Sequence, residues 1–309
     1  MKRMINQSHI EGYLYESKLE LKESGPNSKN PGTKFISGTI DIVTDDAGVN
    51  VVPVHFTYVT EKTTKGSTNA TFTTLMNIID QKFGTVMGNG KDNAVKLRID
   101  SALGLNEFYS DRNGTEELVS VKRNEGGFVH VADSLTEDEN ARNTFTCDML
   151  ITNVSVKEAD EEKNLPEKAI IKGAIFDFRG SLLPVEFSAI NPKAIAYFES
   201  LEASSKNPTL TKLWGRQVSE TIVRTITEES AFGEDSVREV KSSRKDFVIT
   251  GASKEPYEWD TEETITANEL AEAIANRETY LATMKQRQDE YKASQGANVA
   301  APSNAGFNF

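Results

Sequence analysis

Cysteine is almost absent: Cys147 stands alone among 309 residues. One thiol cannot close an intramolecular disulfide, and it excludes a Cys-rich zinc module. Histidine is nearly as scarce. His9, His55 and His130 all fall in strand-like stretches, with no His-x-x-x-His spacing for a metal. No apolar run approaches the roughly 18 residues of a membrane-spanning helix, so no membrane partner is expected. The opening Met1-Lys2-Arg3-Met4-Ile5-Asn6-Gln7 has basic residues but no apolar segment of a secretory signal, so the expected compartment is the cytoplasm. A G-x-x-x-x-G-K-[ST] phosphate loop is missing, and so is a G-x-S-x-G elbow. Gly88-Asn89-Gly90 lacks the strand-to-helix setting of a dinucleotide site. Cys147 lies in an alternating stretch and reads as a small core residue. The expectation is a non-enzyme with no cofactor and no metal.

What is present is a soluble-type balance, 37% hydrophobic and 27% charged. Lys and Arg total 35 against 47 Asp and Glu, a formal net charge of -12. That excess argues against a generic polyanion binder, although a local basic groove can sit on an acidic body. The length fits roughly two domains.

Period-two alternation dominates the chain. Strand patterns cover 9–16, 35–43 and 50–59, with a Pro/Gly/Asn-rich loop at 24–32 after the first. Phe72, Leu75, Met76, Ile79 and Phe83 then follow helical spacing, and strand patterns resume at 94–100, 105–109, 117–123 and 127–132. The second half repeats this order. Strands are expected at 144–157, 168–178 and 181–189. A helix opens at Asn191-Pro192, and strands return at 212–227 and 237–250. Short matches support an internal repeat: Gly38-Thr39-Ile40 with Gly173-Ala174-Ile175, and Val52-Pro53-Val54 with Leu183-Pro184-Val185.

Five strands with one helix between the third and fourth is the order of an OB-fold barrel. The expected fold is therefore mainly β with short helices (α+β): two tandem OB-like small barrels over 1–140 and 141–255, a C-terminal helix over 256–292 and a flexible tail over 293–309. Thr266-Ala267-Asn268-Glu269 is a capping box that opens a helix of about six to seven turns. Leu270, Ile274, Leu281, Met284 and Tyr291 form its apolar stripe, interrupted by Arg277 and Gln288. The tail, rich in Ala, Asn, Ser and Gly, carries no charged side chain.

Binding of single-stranded nucleic acid needs cations for phosphates and flat rings on which bases stack. Lys29, Lys34, Lys62 and Lys65 sit in or beside the loops of the first half, and Arg98, Lys122 and Arg123 on its later hairpin. Lys172, Arg179 and Arg216 take similar places in the second half. Parity supplies the rings. With Leu14, Ile36, Ile40, Val54 and Phe56 inward, Tyr13, Tyr15 and Phe35 face outward. Core and platform readings compete at Tyr13 and Tyr15, and core leads at Phe35. Trp214, between Lys212 and Arg216, fits either role. Phe176 and Phe178 share one strand face, and both read as core.

Several stretches resemble bacteriophage proteins of gut and Gram-positive bacteria: Tyr13-Leu14-Tyr15, Ser24 to Gly38, Leu103 to Tyr109, and Asn124 to Val129. Some proteins of that kind are single-stranded DNA-binding proteins with OB-folds. The resemblance implies support of phage DNA replication or recombination, with single-stranded DNA as partner. The helix and tail would serve self-association or recruitment of replication proteins. Bacterial single-strand binding proteins end in an acidic tip closing with Pro-Phe. Here Phe307 and Phe309 lack those acids and that proline. Two other readings fit an acidic β-rich chain: a structural virion protein of tail or decoration type, and an acidic adaptor or inhibitor that binds a host protein.

Overall fold

A computed structural model of the chain describes residues 4–112, 115–159, 166–228, 236–261 and 264–297. The first half runs β1 (Asn6–Glu23), β2 (Lys34–Val43), β3 (Val51–Thr60), α1 (Ala70–Ile79), the single turn α2 (Val86–Asn89), β4 (Lys96–Arg112) and β5 (Thr115–Val131). The second runs β6 (Asn143–Lys157), β7 (Lys168–Phe176), β8 (Leu182–Ala189), α3 (Pro192–Ser200), β9 (Thr209–Glu228) and β10 (Ser236–Ala252), followed by α4 (Ala267–Ala297). The chain is mainly β, with few helices and a long one at the C-terminal end. Among the described residues no helix is long and apolar enough to cross a membrane.

Each half closes on itself. In the first, β1 pairs with β2, β2 with β3, and β4 with both β1 and β5, all antiparallel. Val54 and His55 of β3 then meet Asn124 and Glu125 of β5 in parallel, which completes a ring of five strands. In the second, β6, β7 and β8 pair in sequence, β9 pairs with β6 and β10, and β8 meets β10 in parallel at Ser188 and Val248. The pairing order is the same in both halves, and a helix follows the third strand each time. β1 and β6 pair antiparallel, Asn6 to Ile10 against Cys147 to Asn143, so both rings belong to one ten-stranded sheet.

The matched glycines have matched jobs. A Cβ on Gly38 would lie 2.1 Å from the Lys18 carbonyl oxygen, and one on Gly173 1.9 Å from that of Leu150. In both rings the second strand can cross the first this closely only without a side chain.

The expected inward residues Leu14, Ile36, Ile40, Val54 and Phe56 are all buried. Phe72, Leu75 and Ile78 of α1 pack onto them, and Asn69 caps that helix by accepting from the Thr71 N–H. Each such apolar side chain contributes about 1.5–3 kcal/mol on burial. The second core gathers Phe145, Cys147, Met149, Ile171, Phe187 and Phe198. Burial in this apolar core pushes the Cys147 thiol far up, so it stays a neutral packing group.

A buried amide cluster joins the rings. Gln217 donates to Ser8 Oγ and Asn124 Oδ1 at 2.8 Å each, Asn124 donates back to Gln217 at 2.8 Å, and Asn143 donates to the Gln217 carbonyl at 2.6 Å. Losing one member would leave the others unsatisfied in the interior, which fixes the mutual placement of the rings.

Two expectations need correction. The patterns at 94–100 and 105–109 are one strand, β4, and those at 117–123 and 127–132 are one strand, β5. The ladder shifts register between Asp100 and Ala102 opposite Gly126 and Gly127, and a bulge resets alternation there. The apolar stripe of α4 docks it only in part, with Leu281 and Met284 half-buried. Ile274 and Tyr291 are exposed, while Leu270 and Ala273 meet a small cluster with Met4, Phe176, Leu182 and Leu210. The interrupting residues hold the rest. Arg277 pairs with buried Glu107 (Nη1 to Oε2, 2.6 Å), and Gln288 bonds the Tyr109 backbone in both directions at 2.7 and 3.2 Å. The capping box forms, with Thr266 N to Glu269 Oε2 at 2.9 Å and Glu269 N to Thr266 Oγ1 at 3.2 Å. The helix runs past the expected end at 292 to Ala297, and the expected tail from residue 298 onward lies outside the described residues.

Candidate nucleic-acid interface

The β1–β6 ladder is the floor of a cleft of about 560 Å³ where the two rings meet. Its walls carry His9, Asp100, Phe128 and Phe178. A second cleft of about 530 Å³ shares Asn6, Ala102, Gly126 and Phe178 with the first and reaches Arg179 and α4. A third, also about 530 Å³, shares Thr144, Phe145 and Thr146 and reaches Trp214 and Arg216. The three form one track across the junction.

Its rings stand free of the core. Phe128 is 69% exposed, Phe178 68% and Trp214 41%. Each has a local cause. Phe128 follows the Gly126–Gly127 bulge, where a Cβ on Gly127 would meet the Asp100 carbonyl oxygen at 1.9 Å. Its neighbour Val129 takes the inward position. Phe178 was expected in the core beside Phe176, but β7 ends at Phe176 and the face they would share ends with it. Asp177 then accepts from the N–H groups of Arg179 and Ser181 at 2.8 Å each, and Gly180 takes φ 82° to close the turn. Phe178 rides on that turn with the Arg179 guanidinium 4.9 Å from its centroid. Trp214 lies flat over Gly251, where a Cβ would fall 2.3 Å from the indole nitrogen.

The expected cations divide by what they already hold. Arg98 pairs with buried Glu11 at 3.4 Å, Arg123 with Glu125 at 2.5 Å and Lys172 with Glu186 at 3.8 Å. Burial pulls the Glu11 carboxyl up, but bonds from the Thr136 N–H, Arg98, the Thr136 hydroxyl and His9 outweigh it and hold it below its ordinary value. Lys122 reaches from the first ring into the second. Its ammonium sits 5.5 Å from the Phe187 centroid and 5.0 Å from that of Phe247, and it donates to the Glu186 carbonyl. Burial lowers its pKa against the pull of Asp246 and Glu186. Lys29, Lys34, Lys62, Lys65, Arg179 and Arg216 make no ion pair among the described residues.

The remaining expected rings lie elsewhere on the first half. Tyr13 is half-buried with Lys91 5.1 Å from its centroid, and Tyr15 is the extra residue at the register shift between Leu14 and Glu16. Phe35 is half-buried against Tyr58, centroids 4.5 Å apart. Because Phe35 pairs with Thr60, Lys34 and Lys62 come to the same end of the β2–β3 ladder. So Arg179, Trp214 and Arg216 share the junction track. Lys34, Phe35 and Lys62 share a second patch with Tyr58, and Lys29 and Lys65 stand in exposed loops. Phe128, and Tyr280 on the α4 wall of the second cleft, were not among the expected site residues. The Gly126-Gly127 pair before Phe128 was the legible signal, whereas Tyr280 stood off the apolar stripe and had none.

Among the described residues no group of three His, Cys, Asp or Glu side chains is placed to hold a metal ion. The sequence model of one protein family, described as YorF, matches residues 5–287. No curated protein matches the chain. Among solved structures, a deletion mutant of the single-stranded DNA binding protein from Thermus aquaticus aligns with 10% identity, covering 85% of this chain and 100% of that one, at a TM-score of 0.44.

Proposed function

The chain belongs to the YorF family, and we propose that it binds single-stranded DNA with little sequence preference. In this reading the two five-stranded rings are tandem OB-type barrels, 1–140 and 141–255. The pairing order and the helix after the third strand are what that barrel requires. The observation that carries the proposal is the junction track: Phe128, Phe178 and Trp214 stand exposed along connected clefts, and beside them lie Arg179 and Arg216, which make no ion pair among the described residues. Exposed rings offer bases a stacking surface without regard to sequence, and uncommitted guanidinium groups offer phosphates a counter-charge. The Lys34–Phe35–Tyr58–Lys62 patch extends the footprint onto the first barrel. The biological role proposed with it is support of phage DNA replication or recombination, for which the resemblance at Tyr13 to Tyr15, Ser24 to Gly38, Leu103 to Tyr109 and Asn124 to Val129 speaks.

The test is fluorescence anisotropy of labelled oligo-dT, with duplex DNA as comparison, at several salt concentrations. Binding of the single strand that exceeds duplex binding and weakens with salt is expected. Absence of binding at low salt overturns the proposal and favours the virion-component or host-adaptor readings.

A further inference from the structure

The cleft beside α4 differs from the rest of the track. Its walls include Leu103 and Leu105 of β4, the 177–181 turn with Leu182 and Leu183 at the start of β8, and Asn276, Arg277 and Tyr280 of α4, with Asn6 of β1 and Gly126 of β5 beside them. Four leucines line it, Leu103, Leu105, Leu182 and Leu183, and its volume of about 530 Å³ is well within the size of small-molecule sites. Two aromatic rings border it, Phe178 and Tyr280, the second 51% exposed. Each carries a guanidinium, Arg179 at 4.9 Å from the Phe178 centroid and Arg277 at 5.5 Å from that of Tyr280. The two guanidiniums are not equivalent. Arg277 spends its Nη1 and Nη2 groups on Glu107. Arg179 is exposed and makes no ion pair among the described residues, so its donors are available to an anion.

The acidic residues of the same cleft are already answered. Glu107 faces Arg277, Glu125 faces Arg123, and Asp177 accepts two backbone N–H groups. What remains open is apolar wall, two flat rings, one free guanidinium and the exposed Asn276 amide, which can both donate and accept. A flat heteroaromatic group with an attached phosphate fits that set, and an aliphatic or purely anionic ligand leaves half of it unused.

We propose that this cleft is a nucleotide pocket. It takes one base lifted out of the strand on the track, stacked on Tyr280, with its phosphate on Arg179 and its edge on Asn276. The inference rests on the single-strand reading for its biological ligand, but the pocket has its own chemistry and its own test. It also gives α4 a second role, since the helix that ties down the first half's β4–β5 hairpin would supply one wall of a binding site.

The test uses the full chain and mononucleotides. Titration calorimetry with dTMP and dAMP, and with deoxyribose 5-phosphate as the baseless control, reads the pocket without the strand. Nucleotide binding at least fivefold tighter than the baseless sugar phosphate is expected. Tyr280→Ala should weaken it at least fivefold and Tyr280→Phe should not. Arg179→Ala, on the wall opposite α4, should weaken nucleotide and sugar phosphate alike, and it remains informative if Tyr280→Ala disturbs the helix. If oligo-dT binds but neither nucleotide does, the pocket is refuted and the single-strand reading stands. If the nucleotides bind and oligo-dT does not, the pocket stands and the single-strand reading falls. Equal affinity for nucleotide and sugar phosphate refutes the pocket as a base site.

Discussion

Removing the two most exposed rings of the junction track, Phe128→Ala with Phe178→Ala, separates binding from folding. At 69% and 68% exposure neither ring contributes much to a core, so each substitution should leave unfolding free energy within about 0.5 kcal/mol of the parent. Stacking of a base on an aromatic ring contributes about 1–3 kcal/mol. At about 1.4 kcal/mol per tenfold, each substitution should weaken oligo-dT binding roughly 5- to 150-fold. The pair should approach the product of the two effects if the rings take different bases. Neither ring carries charge, so the slope of log affinity against log salt should not change. Arg179→Ala should instead lower that slope by about 0.7, the contribution of one phosphate contact on a single strand. The assay is anisotropy of labelled oligo-dT across a salt series, with urea unfolding of each variant. Unchanged affinity of the double variant, at unchanged stability, would refute the stacking role of the track.

Three further outcomes follow from the geometry. Arg277→Met should destabilise the protein by about 3–5 kcal/mol, because it leaves Glu107, with a side chain only 3% exposed, buried without its partner; a loss under 1 kcal/mol in urea unfolding would contradict this. The Lys285 and Lys292 ammonium groups hold the Glu116 carboxyl below its ordinary value, so the stabilisation is complete above the ordinary carboxylate range and is lost as pH falls through the depressed value. Hydrogen-exchange protection in the 285–293 part of α4 should therefore decline in that acid window and persist above it, and protection indifferent to pH there would refute the tether. Gly251→Ala should push Trp214 off the backbone it covers, since the new Cβ would fall 2.3 Å from the indole nitrogen. In a Trp259→Phe background, Trp214 emission should shift and stability should drop by about 1–3 kcal/mol. Unaltered emission would show that the ring does not lie there.

The sequence by itself determined the local order. Alternation placed Leu14, Ile36, Ile40, Val54 and Phe56 on one buried face, because a half-buried strand has a period of two. Asn191 announced its helix because a side-chain oxygen there accepts from an N–H with no other partner, and Thr266 with Glu269 did the same for α4. The order of strands and helix in each half was legible for the same reason. Tertiary structure decided what local rules cannot reach. Closure of each ring depends on parallel contacts at Val54–Asn124 and Ser188–Val248, between strands far apart in the chain. Parity failed where a bulge or a turn intervened: one extra residue at Gly126–Gly127 aims Phe128 outward, and the end of β7 frees Phe178. Arg277 and Gln288 looked like flaws in an apolar stripe. They proved to be docking contacts beside Leu270 and Ala273, because the surface α4 meets there is a hairpin presenting Glu107 and the Tyr109 backbone. A periodicity reads one element at a time, whereas an interface is set by what the partner element offers.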